Sequence, residues 1–447
     1  MKKVEILRKK YPNFVYQGYD YKIFRNDLRI FFDFRMPPNI KFRPEIIIKN
    51  TEKEISRDLD NFVFHLGLME IPTYWKAACS PIIEIKASYL NKEQIKWWQN
   101  FILNGMGQFF YENQIDFRKP NFLKIKCLKN KITKNKSNLT IVRLLKKRFL
   151  VPMGEGKDSI VTLELLKKKY KKENINCFIV NPKNNHFKIL KVAGINEPII
   201  IERKVDRKLL DLNKKGFLNG HTPITALISN LAVFCAVLFG YNDVAMSCEK
   251  SADEGNIKYL RKDINHQWSK NSQFEREYQK YIKKYLTKDV KYFSFLRSFY
   301  EFQIAKIFSQ FPQYFPVFLS CNEARKTKSG TRKPTGKWCG KCSKCLFIWT
   351  ILYPFVKERD LIKIFKKNLF EDEKLIPVMK ELIGESRCKP FECVGTQKES
   401  LAAFYLALRS FKRRRVKESL PSLLQYFERN ILPKYPNIDK FSQKFYS

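Results

Sequence analysis

"VPMGEGKDSIVTLELL", residues Val151–Leu166, joins an apolar strand to a helix-like segment through a loop that contains two glycines. Backbone N–H groups at a strand-to-helix turn form an anion site, so a phosphate-binding loop is the first hypothesis. A Walker loop requires Gly-x-x-x-x-Gly-Lys followed directly by Ser or Thr. Here Asp158 follows Gly156-Lys157, and Val151 stands where the first glycine would be. The Walker interpretation is therefore excluded.

The loop instead resembles a variant of the Ser-Gly-Gly-x-Asp-Ser loop of ATP pyrophosphatases, which cleave ATP between its α and β phosphates. In that loop Lys157 and Ser159 would hold phosphate oxygens, and Asp158 would bind Mg²⁺ or orient the substrate. The alternative is an ordinary glycine-containing turn. The resemblance implies an ATP site made of Gly154, Glu155, Gly156, Lys157, Asp158 and Ser159.

Strand-like and helix-like segments alternate around this loop. Arg148–Met153 and Ile175–Pro182 are predicted as strands and Ser159–Tyr170 as a helix, and "PIIIERKV" and "DVAMSCE" supply two more strands. This alternation predicts an α/β fold with a doubly wound parallel sheet and ligands at the carboxyl ends of the strands. The loop resemblance implies that the sheet is of adenine nucleotide α-hydrolase type.

Four segments are predicted along the chain. The polar, non-periodic stretch Cys127–Leu139 is typical of a domain boundary. The predicted segments are an N-terminal α+β domain (1–138), an ATP-binding α/β domain (139–318), a four-cysteine metal segment (319–352) and a helical C-terminal region (353–447).

Composition limits the class of protein. The 447 residues are 44% hydrophobic, which predicts a folded chain of two or three domains. The start of the chain lacks an apolar signal segment, and the most apolar stretch, Ile224–Gly240, contains Ser229 and Asn230. We therefore expect a buried helix there, no membrane association and a cytoplasmic location, where the eleven cysteines stay reduced.

The net charge of +42 raises the question of a nucleic-acid partner. Lysine is spread along the whole chain, and only Ser410–Ser419 forms a dense basic cluster, which a solvated helix face also explains. Nucleic acid is therefore the less favoured partner. The positive electrostatic field of such a chain would also favour an anionic small substrate.

The segment "KWCGKCSKC" carries three cysteines at knuckle spacing, and a fourth lies eighteen residues upstream of the first. Four thiolates suit a tetrahedral structural zinc, and an iron–sulfur cluster is the competing interpretation. Zinc is favoured because the knuckle lies in a Lys- and Gly-rich turn. The predicted ligands are Cys321, Cys339, Cys342 and Cys345.

Further candidates lie in polar loops. Glu392 and Cys393 place a carboxylate beside a thiol in "CKPFECVG". "SADEGN" directly follows an apolar strand, which places its acidic residues at the same edge of the sheet as the glycine loop. His221 and His266 lie in polar contexts, whereas His65 and His186 are expected to be structural.

Taken in order, these motifs and several others resemble one family, the UDP-N-acetylmuramoyl-L-alanyl-L-glutamate epimerases. The resemblance runs from about Asn61 to about Phe404. The segments that carry it are "NFVFHLGLMEIPTYWKAACSP", "NGMGQFFYENQI", "VPMGEGKDS", "GHTPITAL", "SADEGN", "FLSCNEA", "KWCGKCSKC" and "KPFECVG".

The resemblance implies a cytoplasmic enzyme of peptidoglycan synthesis that inverts the terminal L-Glu of UDP-MurNAc-L-Ala-L-Glu, using ATP and Mg²⁺. Adenylating the α-carboxyl would make the α-hydrogen acidic, and a thiol suits the proton transfer. The predicted catalytic residues are Cys393, with Glu392 as helper, His266 and Asp158. The predicted substrate-binding residues are Asp253, Glu254, Asn256 and His221.

Two other functions remain open at the level of sequence. A tRNA-modifying enzyme with the same loop would adenylate a base, and the charge and the cysteines favour it. A zinc-stabilised scaffold would not bind ATP at all. The sequence does not determine an oligomeric state.

Overall fold

The computed structural model describes residues 2–51, 59–127, 147–327, 332–386, 388–415 and 418–446. Its strands are β1 (Asn13–Phe24), β2 (Asp27–Met36), β3 (Ile40–Phe42), β4 (Glu45–Ile48), β5 (Ile82–Ile85), β6 (Lys124–Cys127), β7 (Phe149–Pro152), β8 (Ile175–Val180), β9 (Ile199–Lys204), β10 (Asp243–Met246), β11 (Ile257–Tyr259), β12 (Lys262–Ile264) and β13 (Lys291–Ser294).

The helices that surround these strands lie mostly in the second half of the chain. They are α1 (Lys3–Lys10), α2 (Asp60–Trp75), α3 (Lys92–Gly105), α4 (Gly107–Glu112), α5 (Lys157–Lys169), α6 (Asn184–Ala193), α7 (Arg207–Lys214), α8 (Ile224–Phe239), α9 (Ser272–Tyr285), α10 (Glu301–Phe308), α11 (Ser343–Leu352), α12 (Glu358–Phe365), α13 (Ile376–Ile383), α14 (Gln397–Arg414), α15 (Ser422–Tyr426) and α16 (Ile438–Tyr446).

Single turns of 3₁₀ helix connect several of these elements. Two of them, Lys250–Asp253 and Trp268–Lys270, lie in the long connection between β10 and α9. The others are Lys172–Asn174, Pro312–Tyr314, Leu369–Glu371, Glu373–Leu375 and Leu432–Lys434, with a π-helical turn at Phe427–Ile431.

One large mixed sheet runs through the fold in the order β13-β10-β7-β8-β9-β4-β2-β1-β5-β6, and β3 pairs with β2. The strands from β13 to β9 are all parallel. The strands β9, β4, β2 and β1 pair antiparallel, whereas β5 and β6 continue parallel to β1. The predicted α/β class is confirmed, but the sheet is mixed.

The antiparallel part has a local cause in the turn between β1 and β2. Arg25 and Asn26 both have positive φ, 49° and 61°. This is the backbone of a two-residue hairpin turn that matches the twist of the strands. β2 then alternates buried and half-buried residues, as expected for a strand with one face on the core. A direct hairpin cannot make a parallel pair.

The apolar stretch predicted as a buried helix is α8, in which 11 of the 16 residues are buried and the first, Ile224, is exposed. It ends at Gly240, which takes the left-handed conformation (φ 68°) that terminates many helices. Across the parts of the chain that the structure describes, no helix has the length and apolar character needed to cross a membrane.

The four predicted segments stay a prediction. The boundary between residues 138 and 139 falls in 128–146, outside the described residues. Strands from both sides of it belong to the large sheet, and β11 and β12 form a separate two-stranded sheet. One apolar core joins residues of the first 125 positions to α8 and α9, and a second joins β7 and α5 to the helices beyond residue 300.

Candidate active site

The glycine loop lies between the end of β7 at Pro152 and the start of α5 at Lys157. The Ser159 hydroxyl donates to the carbonyl oxygens of Gly154 and Gly156, each at 3.2 Å, which folds the loop back over the helix start. A Cβ at Gly156 would lie 2.9 Å from Ser320 Oγ. None of the described side chains caps α5, so its first N–H groups remain available for an anion.

A cavity of about 320 Å³ opens over this loop at the carboxyl edge of the parallel strands. Gly154, Gly156, Asp158 and Ser159 line one side of it. Residues from distant parts of the chain line the rest, including His186, Thr225, Ser247, Cys248 and Lys270. The placement is the one expected for a ligand in an open α/β sheet.

Buried charges lie directly beneath the loop. Lys157 is 1% exposed and forms ion pairs with Asp158 and with Glu301, which is also 1% exposed. Burial alone would lower the pKa of Lys157, but the two carboxylates outweigh it and raise the pKa. Lys344 adds a second cation, with its Nζ 3.7 Å from Glu301 Oε1.

Three carboxylates converge at this point: Asp158, Glu249 and Glu301 each bring one oxygen within 4.8 Å of the others. Within the described parts of the chain, Glu249 Oε1 and Glu301 Oε1 are buried without a hydrogen-bond partner. Burial, and then the nearby Glu301, raise the pKa of Glu249 to about 7. Buried carboxylate oxygens that accept no hydrogen bond are suited to bind a hard divalent cation such as Mg²⁺.

Lys270 and Cys393 meet beside this cluster. Lys270 ends the turn Trp268–Lys270, and its Nζ lies 3.2 Å from Cys393 Sγ. Burial lowers the pKa of Lys270, but Cys393 and Glu249 raise it further, and the net pKa lies well above its usual range. Lys270 also lines the cavity over the glycine loop, so the thiol is one contact away from that cavity.

The four predicted metal ligands do come together. Cys321 Sγ lies 3.9 Å from Cys342 Sγ, and Cys345 Sγ lies 3.6 Å from the sulfurs of both Cys339 and Cys342. Tetrahedral zinc with Zn–S bonds of about 2.3 Å separates its sulfurs by about 3.8 Å. The group therefore has the size of a four-thiolate metal site.

Family comparisons match nearly all of the chain. The model of the MurL N-terminal domain matches residues 6–295, and the model of the MurL C-terminal domain matches residues 317–431. The chain belongs to the MurL family.

Three relatives carry the name UDP-N-acetyl-alpha-D-muramoyl-L-alanyl-L-glutamate epimerase. The protein from Micromonospora is 38% identical over 58% of this chain and 56% of its own length. The protein from Xanthomonas oryzae is 30% identical over 76% and 72%. The protein from Salinispora tropica is 37% identical over 58% and 55%. The chain thus spans little more than half the length of two of these MurL relatives.

Two of the histidines chosen from the sequence are neighbours in this MurL-family fold: the ring centroids of His221 and His266 lie 4.4 Å apart. Burial, then Lys270, lower the pKa of His266 to about 4. Burial, then His266, lower the pKa of His221 to about 3. Both rings are therefore neutral at pH 7, and His266 Nδ1 lies 2.6 Å from Gln108 Oε1.

The predicted substrate-binding residues after β10 make structural contacts here. Asp253 Oδ1 accepts from the N–H of Ser272 at the start of α9, at 2.6 Å. Glu254 Oε1 accepts from the N–H of Gln397 at the start of α14, at 2.9 Å. Asn256 accepts from the N–H of His266 at 2.8 Å. They fix the walls of the site, and their contact with substrate stays a prediction.

Glu392 does not reach the thiol of its neighbour in this structure. Its carboxylate accepts from the hydroxyl of Ser343 at 3.0 Å and from the N–H of Lys344 at 2.8 Å. It therefore caps α11, the helix that carries Cys345. The role of Glu392 as a helper of Cys393 stays a prediction, and the side chain found at the thiol is Lys270.

Glu155, the residue that replaces a glycine of the pyrophosphatase loop, is held by a salt bridge. Arg325 Nε donates to its Oε2 at 2.7 Å, and the other guanidinium arm pairs with Oε1. His186 Nδ1 lies 3.6 Å from the same carboxylate. The acidic side chain is thus neutralised inside the loop. The expectation of a structural His65 fits its buried contacts, Asn61 O at 2.7 Å and Tyr281 Oη at 2.9 Å.

Sequence reasoning missed Glu249, Lys270, Glu301 and Lys344. For Glu249 a signal existed, because it follows β10 directly, closer than the Asp253 and Glu254 that the same rule selected. Lys270 and Glu301 stand alone in the sequence, and Lys344 lies between two cysteines of the metal motif, which gives no signal for a second role. Glu301 and Lys344 are recognised only by their burial beside each other, and Lys270 by its contact with Cys393.

Proposed function

We propose that the chain is an ATP-dependent epimerase that inverts the terminal L-Glu of UDP-MurNAc-L-Ala-L-Glu to D-Glu, in the cytoplasm, for peptidoglycan precursor synthesis. Its MurL family membership and the printed names of its relatives support the substrate. One observation carries the chemistry. The uncapped glycine loop and Lys270 line a single cavity, and Cys393 touches Lys270.

The reaction needs activation before proton transfer. Removing the α-hydrogen of a free carboxylate would build a dianion, so the hydrogen is very weakly acidic. Attack of the substrate carboxylate on the α-phosphate of ATP releases pyrophosphate and leaves an acyl-adenylate. In the adenylate the carbanion charge moves onto the carbonyl oxygen as an enolate. After inversion, hydrolysis releases AMP and the epimerised product.

The residues of the loop are suited to hold the triphosphate. The free N–H groups at the start of α5 are donors for an anion, and the Ser159 hydroxyl keeps the loop folded over them by donating to its carbonyls. Lys157 supplies a cation whose charge is already partly matched by Asp158 and Glu301. In this proposal the parallel strands form a nucleotide-binding unit of adenine nucleotide α-hydrolase type.

Two metals belong to the proposal. Mg²⁺, held by Asp158, Glu249 and Glu301, would neutralise phosphate charge during the attack. Zn²⁺, held by the four cysteines, would be structural, since all its positions are taken by protein thiolates. Through Glu392 and α11, the cysteine site sets the position of the loop that carries Cys393.

Proton transfer is assigned to Cys393. Inversion requires removal of a proton on one face of the α-carbon and delivery on the other, by two groups or by one that moves. Because His221 and His266 are neutral at pH 7, both can accept a proton, and His266 is the second candidate for the base. A thiolate is a competent base when its pKa is tuned.

The function is tested with purified protein, ATP, Mg²⁺ and UDP-MurNAc-L-Ala-L-Glu. We expect pyrophosphate release and D-glutamate in the chiral analysis of the hydrolysed product. Bulk tRNA in place of the muramoyl dipeptide should give no ATP turnover. ATP turnover with tRNA alone would assign the chain to base modification, and failure to bind ATP would make it a scaffold.

Cys393 is tested by substitution in the same assay, run in deuterated water. Cys393→Ser should still release pyrophosphate, yet fail to incorporate deuterium at the α-carbon. Cys388→Ser is the matched control, since Cys388 is a half-buried thiol of the same loop that contacts the carbonyl of Lys389. Deuterium exchange at the parent rate in Cys393→Ser would move the assignment to His266 or His221.

A further inference from the structure

Both the backbone and the side chain of Lys270 are fixed by hydrogen bonds. Its backbone N–H donates to the carbonyl of Gln267 at 2.7 Å, and its carbonyl accepts from Arg297 at 2.6 Å. Its Nζ donates to Cys393 Sγ at 3.2 Å and to the Gln267 side chain at 3.4 Å. A lysine fixed in this way keeps its charge in place without a further loss of side-chain entropy when a ligand arrives.

The ammonium faces groups of both signs. Glu249 and Cys248 approach from the loop after β10, and Asp158 from α5. Lys344 of α11 is the other cation near Cys393, but its Nζ is bound to the carbonyl of Cys393 and faces Glu301. Lys270 is therefore the cation in contact with the thiol itself.

We propose that Lys270 is a catalytic residue that pairs with the Cys393 thiolate before proton removal and with the enolate oxygen of the adenylated glutamate after it. This inference rests on the proposed function. The position of Lys270 in the wall of the cavity, beside the glycine loop, is what places it within reach of both partners.

The step balances without any further reactant. The α-C–H bond breaks, its proton joins the Cys393 sulfur, and the electron pair becomes the enolate with its charge on the carbonyl oxygen. The negative charge thus moves from sulfur to oxygen while the ammonium stays beside it. A solvent-derived proton delivered on the other face returns the electron pair to carbon, and the proton on the Cys393 sulfur passes to solvent. Keeping the counter-charge fixed lowers the reorganisation needed during the step.

The alternatives to Lys270 are already engaged elsewhere. Glu392 caps α11, and a carboxylate would oppose thiolate formation. His266 is neutral at pH 7, because burial and Lys270 lower its pKa to about 4. A neutral imidazole gives weaker stabilisation of an enolate than an ammonium does.

The first test uses no substrate. Iodoacetamide labelling of Cys393 is followed against pH by peptide mass spectrometry, in the parent protein, in Lys270→Met and in Lys270→Arg. The midpoint of the parent labelling curve is the reference for the two variants. Lys270→Met should raise the labelling midpoint by at least one pH unit, which corresponds to about tenfold slower labelling at pH 7. Lys270→Arg should keep the midpoint of the parent. Cys388 in the same peptide is the internal control.

The second test adds substrate. In Lys270→Met, deuterium incorporation at the α-carbon should fall at least 100-fold further than pyrophosphate release does. Lys270→Gln, checked by thermal melting, repeats the measurement if the methionine variant is poorly folded. An unchanged labelling midpoint, or equal losses of incorporation and pyrophosphate release, would overturn the proposal. If the parent releases no pyrophosphate with the muramoyl dipeptide, the proposed function has failed, and the labelling test still decides the Lys270–Cys393 pair.

Discussion

The two halves of the sheet bury different kinds of side chain. The half formed by β4, β2 and β1 packs aromatic side chains against α2, with Tyr16 stacked on Phe64 at 5.8 Å and Phe32 on Phe34 at 6.1 Å. In the half from β13 to β9, buried charged residues lie in the segments that follow the strands. Examples are Lys157, Glu249 and Glu301. Apolar burial stabilises a fold, whereas buried charges that lack partners destabilise it.

The comparison separates stability from function. The aromatic half should respond to substitution through the free energy of unfolding, and the charged half through activity. The predictions below test that division, beginning with the largest effect.

Asp158→Asn should lower pyrophosphate release by about 10²–10³-fold and leave the melting temperature within a few degrees of the parent. The substitution removes a charge at the loop and no core volume, and groups that stabilise developing charge are each worth about 10²–10³ in rate. Asp439→Asn is the control, since that side chain is 56% exposed and pairs with Arg409. Normal pyrophosphate release from a folded Asp158→Asn protein would remove Asp158 from the site.

Removal of the metal at the four cysteines should lower the melting temperature by about 10 °C or more, because a metal bound to the folded state contributes directly to folding. Protein purified without oxygen should contain one zinc, and Cys342→Ser should reproduce the loss. Cys127→Ser is the control outside the group. Iron with a visible absorption band, or no metal, would contradict the zinc assignment.

Gly67→Ala should destabilise the fold by about 1–3 kcal/mol through overpacking. A Cβ there would lie 2.0 Å from Tyr16 Oη and 2.9 Å from Phe32 Cδ1, so the aromatic layer would have to shift. Gly18→Ala is matched to it, because a Cβ at Gly18 meets no atom within 4 Å. Chemical denaturation measures both. Equal stabilities would mean that the aromatic half is loosely packed.

Glu249→Gln should have the smallest effect on stability, and this effect should appear in the pH dependence of the melting temperature. The folded-state pKa of Glu249 is raised to about 7, above its unfolded value near 4.3. A raised pKa favours the protonated folded state, so this contribution is present below about pH 4 and is lost as the pH rises towards 7. In metal-free protein, Glu249→Gln should flatten the fall in melting temperature over that range. The exposed Glu173→Gln should not.

Local patterns predicted the parts of this molecule that depend on neighbours in sequence. The strand, loop and helix around Gly154–Ser159 were found because backbone chemistry and spacing are encoded in a few consecutive residues. The cysteine group was found because three of its members share one segment. The buried helix α8 follows from composition alone.

The site residues that the sequence did not reveal are brought together by contacts between distant parts of the chain. Glu301 meets Lys157 across 144 positions, and Lys270 meets Cys393 across 123. No periodicity records such a contact. Residues adjacent in a loop point different ways, so the Glu392 carboxylate contacts α11 rather than the thiol of Cys393 beside it in sequence. The mixed sheet was missed because β4 pairs with β9, whose sequence gives no direction for its partner.

The pairing of β4 with β9 also governs when the chain can fold during synthesis. Ile48 pairs with Ile201, about 150 positions later, and the apolar strand Ile46–Ile48 has an unpaired edge until those residues leave the ribosome. An open apolar edge recruits other chains, and distant pairing slows folding. The first half of this protein should therefore depend on chaperones until β9 is made, and expressing residues 1–138 alone should give aggregates rather than a folded domain.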